Sequence, residues 1–223
     1  MKLRRKHEQS IIDSFSNYFL KKGRELGRSS HRFSLDGQDS ILGADYIFTS
    51  NTKFALVEFK YEEGDLKAEG RKPLRETLCL RLDEERRRHV QSLQCHYIAW
   101  STFIDQHRRI LFNKYYPEIC NTNIFPRTPL LNYVNDQSTR VRAEFVVDQF
   151  MIGEIGADYE TFNNYTNWLL TLGGREYSGV EIMLDNPASN QLEILEFSSI
   201  ELVNDFLVHN RPAPTPSSGP SFF

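Results

Sequence analysis

The sequence predicts an α/β (α+β) chain in which a mixed β-sheet is flanked by helices, and three stretches carry that expectation. Residues 41–60, ILGADYIFTSNTKFALVEFK, read as a β-hairpin: two runs rich in β-branched and aromatic residues enclose Asn51-Thr52-Lys53, a turn signal. Residues 8–22 place Ile11, Ile12, Phe15, Tyr18 and Phe19 at helical spacing, with Lys21 and Lys22 in the last turn and Gly23 as the stop. Residues 74–93 carry a second stripe, Leu74, Leu78, Leu82, Val90 and Leu93, with Pro73 suited to the first turn, and HYIAW at 96–100 reads as a buried strand behind it.

The hairpin gathers charge. Side chains alternate along a strand, so Glu58 and Lys60 share one face while Val57 and Phe59 take the other. A two-residue turn at Asn51-Thr52 sets Asp45 directly across from Glu58, with Cβ atoms roughly 5 Å apart; a three-residue turn would shift the register and undo the pairing. Opposed carboxylates destabilise a sheet unless a positive charge lies between them. Lys60 answers this in part and a divalent cation more fully. Mg²⁺ takes one or two carboxylates with waters and substrate phosphates, which suits a metal-assisted phosphodiester cut.

Asp45, followed thirteen residues later by Glu58-Phe59-Lys60 at the end of an apolar strand, resembles the PD-(D/E)xK core of restriction endonucleases and archaeal Holliday-junction resolvases. The resemblance implies a restriction-endonuclease-like sheet and a Mg²⁺ (or Mn²⁺) ion held by Asp45 and Glu58. It also implies that Lys60 orients or deprotonates the attacking water and steadies the phosphate. Ala44 stands where the family often has proline. In that family a first helix supplies a further acid to the metal; Glu8 is the candidate and Glu25 the alternative. The likeness covers about residues 8–101, in the order strand, strand, helix, strand, with the last strand parallel to the motif strand. The Gln-x-x-x-Tyr element of some related exonucleases is not matched by Gln91, Gln94 and Tyr97.

Charge is unevenly spread. The net charge of −3 combines a surplus of six positives over residues 1–132 with a surplus of nine negatives over 133–211. The basic part, which holds the motif, suits a polyanion, and the acidic part would be repelled by it. Arg24, Arg28 and Arg32, in the connection before the hairpin, are the candidate DNA contacts. Cys79, Cys95 and Cys120 are odd in number and lack CxxC spacing, which argues against a disulfide framework and against structural zinc. No apolar run approaches a membrane span and the charged start has no signal core, so a cytoplasmic protein without a membrane partner is expected.

Residues 103–135, broken by Pro117, Pro126 and Pro129, read as an irregular bridge closing a nuclease-like core over 1–132. Residues 133–211 read as an additional acidic α+β lobe: a strand over 141–147, a helix over 159–172, a hairpin over 180–197 and a short helix over 199–208. Residues 212–223 read as a disordered Pro/Ser-rich tail. Tyr159, Phe162, Tyr165 and Trp168 lie three to four residues apart on one helix, as core or as a contact surface for a homodimer or larger complex. The functional expectation is a metal-dependent DNA endonuclease serving defence against foreign DNA, recombination or repair. The alternative is a catalytically silent protein of the same fold that binds nucleic acid or a partner subunit.

Overall fold

The structure, a computed structural model, describes residues 7–35, 39–173, 182–185 and 193–210. Its centre is an eight-stranded mixed sheet in the order β6-β5-β4-β3-β2-β1-β7-β8. The strands are β1 (Ser30–Ser34), β2 (Tyr46–Ser50), β3 (Lys53–Glu62), β4 (His96–Ile104), β5 (His107–Lys114), β6 (Val141–Arg142), β7 (Ile182–Asp185) and β8 (Ile194–Phe197). The β3–β4 pair is parallel and every other pairing antiparallel. The helices are α1 (Glu8–Glu25), α2 (Asp39–Leu42), α3 (Arg75–Glu84), α4 (Arg86–Cys95), α5 (Tyr115–Ile119), α6 (Ala143–Met151), α7 (Tyr159–Thr171) and α8 (Ile200–His209), with 3₁₀ turns at Glu63–Arg71 and Gln137–Thr139.

Two cores cover the two faces of the sheet. On one, Ile11, Phe15 and Phe19 of α1 and Val147 and Phe150 of α6 pack on Phe48, Val57, Phe59 and Phe112. On the other, α3, α4, α5, α7 and α8 pack on Phe33, Ile47, Phe54, Leu56, Ile98 and Trp100. The alternation of β3 explains the division, since odd-numbered residues face α1 and even-numbered ones, Glu58 and Lys60 among them, face α3 and α4.

The hairpin forms with the expected two-residue turn. Tyr46 pairs with Val57 and Ser50 with Lys53, and Asn51 turns the chain at φ 53°. α1 runs past its expected stop because Gly23 is a packing residue: a Cβ there would lie 2.4 Å from Ser30 Oγ. The helix expected over 74–93 is two helices broken at Glu85 (φ −108°, ψ 86°). The strand expected over 141–147 is short, because Ala143, Val146, Val147, Phe150 and Met151 are buried at helical spacing in α6. The bridge is not irregular throughout, since residues 107–114 form β5, paired along its length with β4.

Residue 132 marks no break in the packing. β6 extends the sheet beyond β5, β7 pairs with β1, and α6 and α7 each contribute to a core shared with the first part of the chain. Phe162, Tyr165 and Trp168 of α7 are buried there, so they offer no surface to a second copy. The turn of the hairpin over 180–197 and the tail over 212–223 lie outside the described residues. Among the described residues no helix is long and apolar enough to cross a membrane.

Cys79 of α3 and Cys120, which follows α5, form a buried disulfide across a sequence separation of 41, although the number and spacing of the cysteines argue against a disulfide framework; Cys95 is free and buried. Cross-linking a loop of that length stabilises by about 4 kcal/mol in the chain-entropy account. The double variant Cys79→Ala/Cys120→Ala is therefore expected to lose a few kcal/mol in denaturant unfolding. A midpoint equal to that of the wild type would show that the bridge contributes nothing.

Candidate active site

β3 delivers the site at its C-terminal end, on the face turned away from α1. Glu58 and Lys60 are both buried, at 0% and 4% exposure, although they are charged. Asp45 stands beside them just before β2. Its backbone N–H donates to Val57 O (3.0 Å), its carbonyl accepts from Leu35 N (3.1 Å), and its carboxylate Oδ2 accepts from the backbone N–H of Phe59 (2.7 Å). The side chain thus continues the ladder where the strand ends and is fixed against β3 opposite the pair.

After Lys60 the pairing with β4 shifts register between Lys60 and Glu62, and the chain leaves the sheet into the Glu63–Arg71 turn. That turn, anchored by buried Leu66, folds back and brings Glu69 and then Lys72 onto the motif. Bulges of this kind are common beside functional sites because they re-aim the following chain. Lys60 Nζ contacts Glu58 Oε1, lies 3.0 Å from Glu69 Oε1 and donates to Phe59 O (3.0 Å). Lys72 Nζ lies 2.5 Å from Glu58 Oε1 and 3.1 Å from Glu69 Oε1. The other oxygen of Glu69 accepts from Arg75 Nε (3.2 Å) and from the Tyr115 hydroxyl (2.7 Å).

The cluster is braced from behind. Arg75 is fully buried. His96 Nε2 lies 2.8 Å from Gly43 O and Nδ1 2.9 Å from the Tyr165 hydroxyl, while its ring stacks on Tyr115. Gly43 has φ +75°, and a Cβ there would meet His96 Cε1 at 3.1 Å and Arg75 Nη1 at 3.3 Å, so both conformation and space call for glycine two residues before Asp45. The disulfide ties α3, which carries Arg75, to the chain after α5, which carries Tyr115, and these two residues hold Glu69 Oε2.

Electrostatics follow from this packing. Burial and the neighbouring Glu58 charge raise the Asp45 carboxyl to about 7, against the pull of Lys60, the Phe59 N–H and Lys72. Burial would lower Lys60, but the carboxylates of Glu58, Glu69 and Asp45 outweigh it and hold the amine above the ordinary lysine range. Burial likewise opposes the charge of Glu69, yet Lys60, Lys72, Arg75 and the Tyr115 hydroxyl keep it below the ordinary carboxyl range. Burial drives His96 down to about 4, so it is neutral at pH 7. Glu58 Oε2 is buried without a hydrogen-bond partner, and Glu69 Oε1 has only its ion pairs with Lys60 and Lys72. A carboxylate oxygen in that position is costly unless a cation or donor reaches it. Asp45 and Glu58 are therefore the pair that could take a divalent cation. Among the described residues no three His, Cys, Asp or Glu side chains already converge as a metal cage.

The other expected site residues lie elsewhere. Glu8 opens α1, at the end where the His7 ring is 6.0 Å from that of Tyr61, on the helix that covers the face opposite Glu58. Glu25 is at the far end of α1, ion-paired with Lys21. Arg24 and Arg28 flank that end, next to Ser30, which pairs with Ser50 at the turn end of the hairpin. Asp45 is five residues further along β2, roughly 17 Å away. Arg32 points to the α1 face, 3.5 Å from Asp13 and over the Tyr46 ring. The structure brings Asp45, Glu58 and Lys60 together and leaves the three arginines apart from them. Glu69 and Tyr115 are not among the expected site residues, and Lys72 and Arg75 read from sequence as exposed cations open to phosphate contact; the one sequence signal for the cluster is the three-residue spacing of Glu69, Lys72 and Arg75.

Compared with protein-family models, curated proteins and solved structures, the chain finds no match.

Proposed function

We propose that the chain is a Mg²⁺- or Mn²⁺-dependent DNA endonuclease of the PD-(D/E)xK kind, with Asp45 and Glu58 as metal ligands and Lys60 as the catalytic amine. One observation carries the reading. Two carboxylates meet on one sheet face with an unpartnered buried oxygen on Glu58 and a charge-strained Asp45, and a lysine stands two residues from Glu58 on the same face. The order α1, β2–β3 antiparallel, helical crossover, β4 parallel to β3 supports it, being the order the resemblance implies, with β1 an added strand in what reads from sequence as a connection before the hairpin.

A bound divalent cation supplies a lowered pKa for its water and charge stabilisation for the phosphate. The chain's own groups divide the remaining work. The Phe59 N–H holds Asp45 in place, and the carboxylates keep Lys60 protonated, which suits it to steady phosphate charge more than to accept a proton. Phosphate contacts on this reading fall to Lys67, Arg71 and Lys72, which belong to the same segment as Glu69, in place of Arg24, Arg28 and Arg32.

A second reading has its own support. Lys60, Lys72 and Arg75 are all occupied by the buried Glu58 and Glu69, a closed ion cluster of the sort a catalytically silent member of the fold would retain as core. Titration with Mg²⁺ or Mn²⁺ separates the two. A metal site stabilises the folded state in proportion to ligand concentration, so the melting temperature of the wild type is expected to rise and that of Asp45→Asn to stay flat. Equal behaviour of the two proteins would favour the silent protein.

A further inference from the structure

Lys72 is the least rigidly held member of the cluster. Glu58, Glu69 and Arg75 have fully buried side chains and the Lys60 side chain is only slightly exposed, whereas the Lys72 side chain is 27% exposed. Lys60 rises from a central strand and is also fixed to Phe59 O. Lys72 follows a 3₁₀ turn in extended conformation, and its amine reaches inward to oxygens of both Glu58 and Glu69. An ammonium bridging two buried carboxylates, one of which has a second oxygen with no partner, stands where a cation would stand.

Charge counting shows the consequence. With Asp45 ionised, the three carboxylates of Asp45, Glu58 and Glu69 are balanced by Lys60, Lys72 and Arg75. A divalent cation added to that neutral set would leave two uncompensated positive charges in a buried site, which is strongly unfavourable. Withdrawal of Lys72 removes one, and a single phosphodiester anion neutralises the other. Metal entry and Lys72 contact thus exclude each other, while metal and phosphate favour each other.

We propose that Lys72 is a displaceable internal counter-ion that closes the site by bridging Glu58 and Glu69, leaves when a divalent cation binds, and is then free to contact the phosphate. Glu69 accordingly borders the cation site, linked to Glu58 through the shared amines of Lys60 and Lys72, a role that rests on the nuclease reading above. Lys72 is a positioning and gating residue; Lys60 remains the catalytic amine.

Two measurements test this on the intact chain. Mn²⁺ binding followed by electron paramagnetic resonance is expected to tighten about tenfold in Lys72→Met, a size usual for one group competing with another. A purely structural role for Lys72 predicts equal or weaker binding, and either result overturns the gate. In the wild type, labelling of lysines by an acetylating reagent, read by mass spectrometry, is expected to rise several-fold at Lys72 when Mg²⁺ is added, about in proportion to its gain in exposure, with Lys60 unchanged. This second measurement decides the matter if Lys72→Met does not fold. Unchanged Lys72 labelling at Mg²⁺ concentrations that raise the melting temperature overturns the gate and leaves the metal site standing. Absence of metal binding in both proteins overturns the gate and the nuclease reading together.

Discussion

Asp45→Asn is expected to stabilise the metal-free protein at pH 8, by on the order of 4 kcal/mol, while abolishing its response to metal. Asp45 takes up its proton at about 7 in the fold, against 3.8 for the free side chain. Below pH 3.8 the carboxyl is protonated in both folded and unfolded states and contributes no pH dependence. Between 3.8 and 7 the folded state keeps a proton that the unfolded state has released, so stability falls as pH rises. Above 7 both states are ionised and the whole penalty of holding that charge beside Glu58 is present. Asparagine escapes it. Its amide oxygen can still accept from the Phe59 N–H, and its NH₂ offers a donor toward Glu58. The gain should accordingly be absent near pH 3.5, grow to pH 7 and level off, as read by denaturant unfolding across that range. A variant less stable than wild type at pH 8, or a difference independent of pH, would show that Asp45 is not charge-strained.

Lys60→Met is expected to cost about 3–5 kcal/mol, the usual effect of removing one partner from a buried ion pair. Sequence alone suggests a loss within about 1 kcal/mol, because a charged residue on a strand face makes little core contact. The structure reverses this, since Lys60 is 4% exposed and bridges the fully buried Glu58 and Glu69. After its removal the carboxylates share Lys72 alone as their amine partner. Cleavage is expected to fall by about 10²–10⁴-fold as well, through loss of charge stabilisation at the phosphate. Rates measured well below the melting temperature of the variant keep the two losses apart. A variant of wild-type stability would remove Lys60 from the buried network, and one of wild-type rate would remove it from the chemistry.

What the sequence reveals here is local. The Asn51-Thr52 turn sets the hairpin register, and the register alone brings Asp45 to the face of Glu58 and Lys60. The helical stripe of α1 and the apolar HYIAW strand are legible for the same reason, a period read within one element. Where geometry depends on distant partners, the reading fails. β5 is hidden because its turn, Asp105-Gln106, has positive φ at both residues without the glycine that usually marks such a turn. The Cys79–Cys120 bridge joins residues 41 apart in sequence, with nothing in their spacing to couple them. Glu69 and Arg75 carry no local signal of burial; it follows from the bulge after Lys60 and from Tyr115 and His96, which come from later elements. Arg24, Arg28 and Arg32 precede the hairpin in sequence, but the antiparallel course of β1 carries the first two to the end of the sheet away from Asp45.

The central claim is that Asp45, Glu58 and Lys60 make a metal-dependent phosphodiesterase site, and nicking of supercoiled plasmid DNA in Mg²⁺ or Mn²⁺ tests it most directly. The account predicts conversion to open circles by the wild type, none with EDTA, and at least a hundredfold loss in Asp45→Asn and Lys60→Met at a temperature where both are folded. Nicking that persists in EDTA, or that is equal in wild type and Asp45→Asn, would contradict it, as would no nicking of supercoiled, linear or branched DNA by a wild type shown to bind the metal.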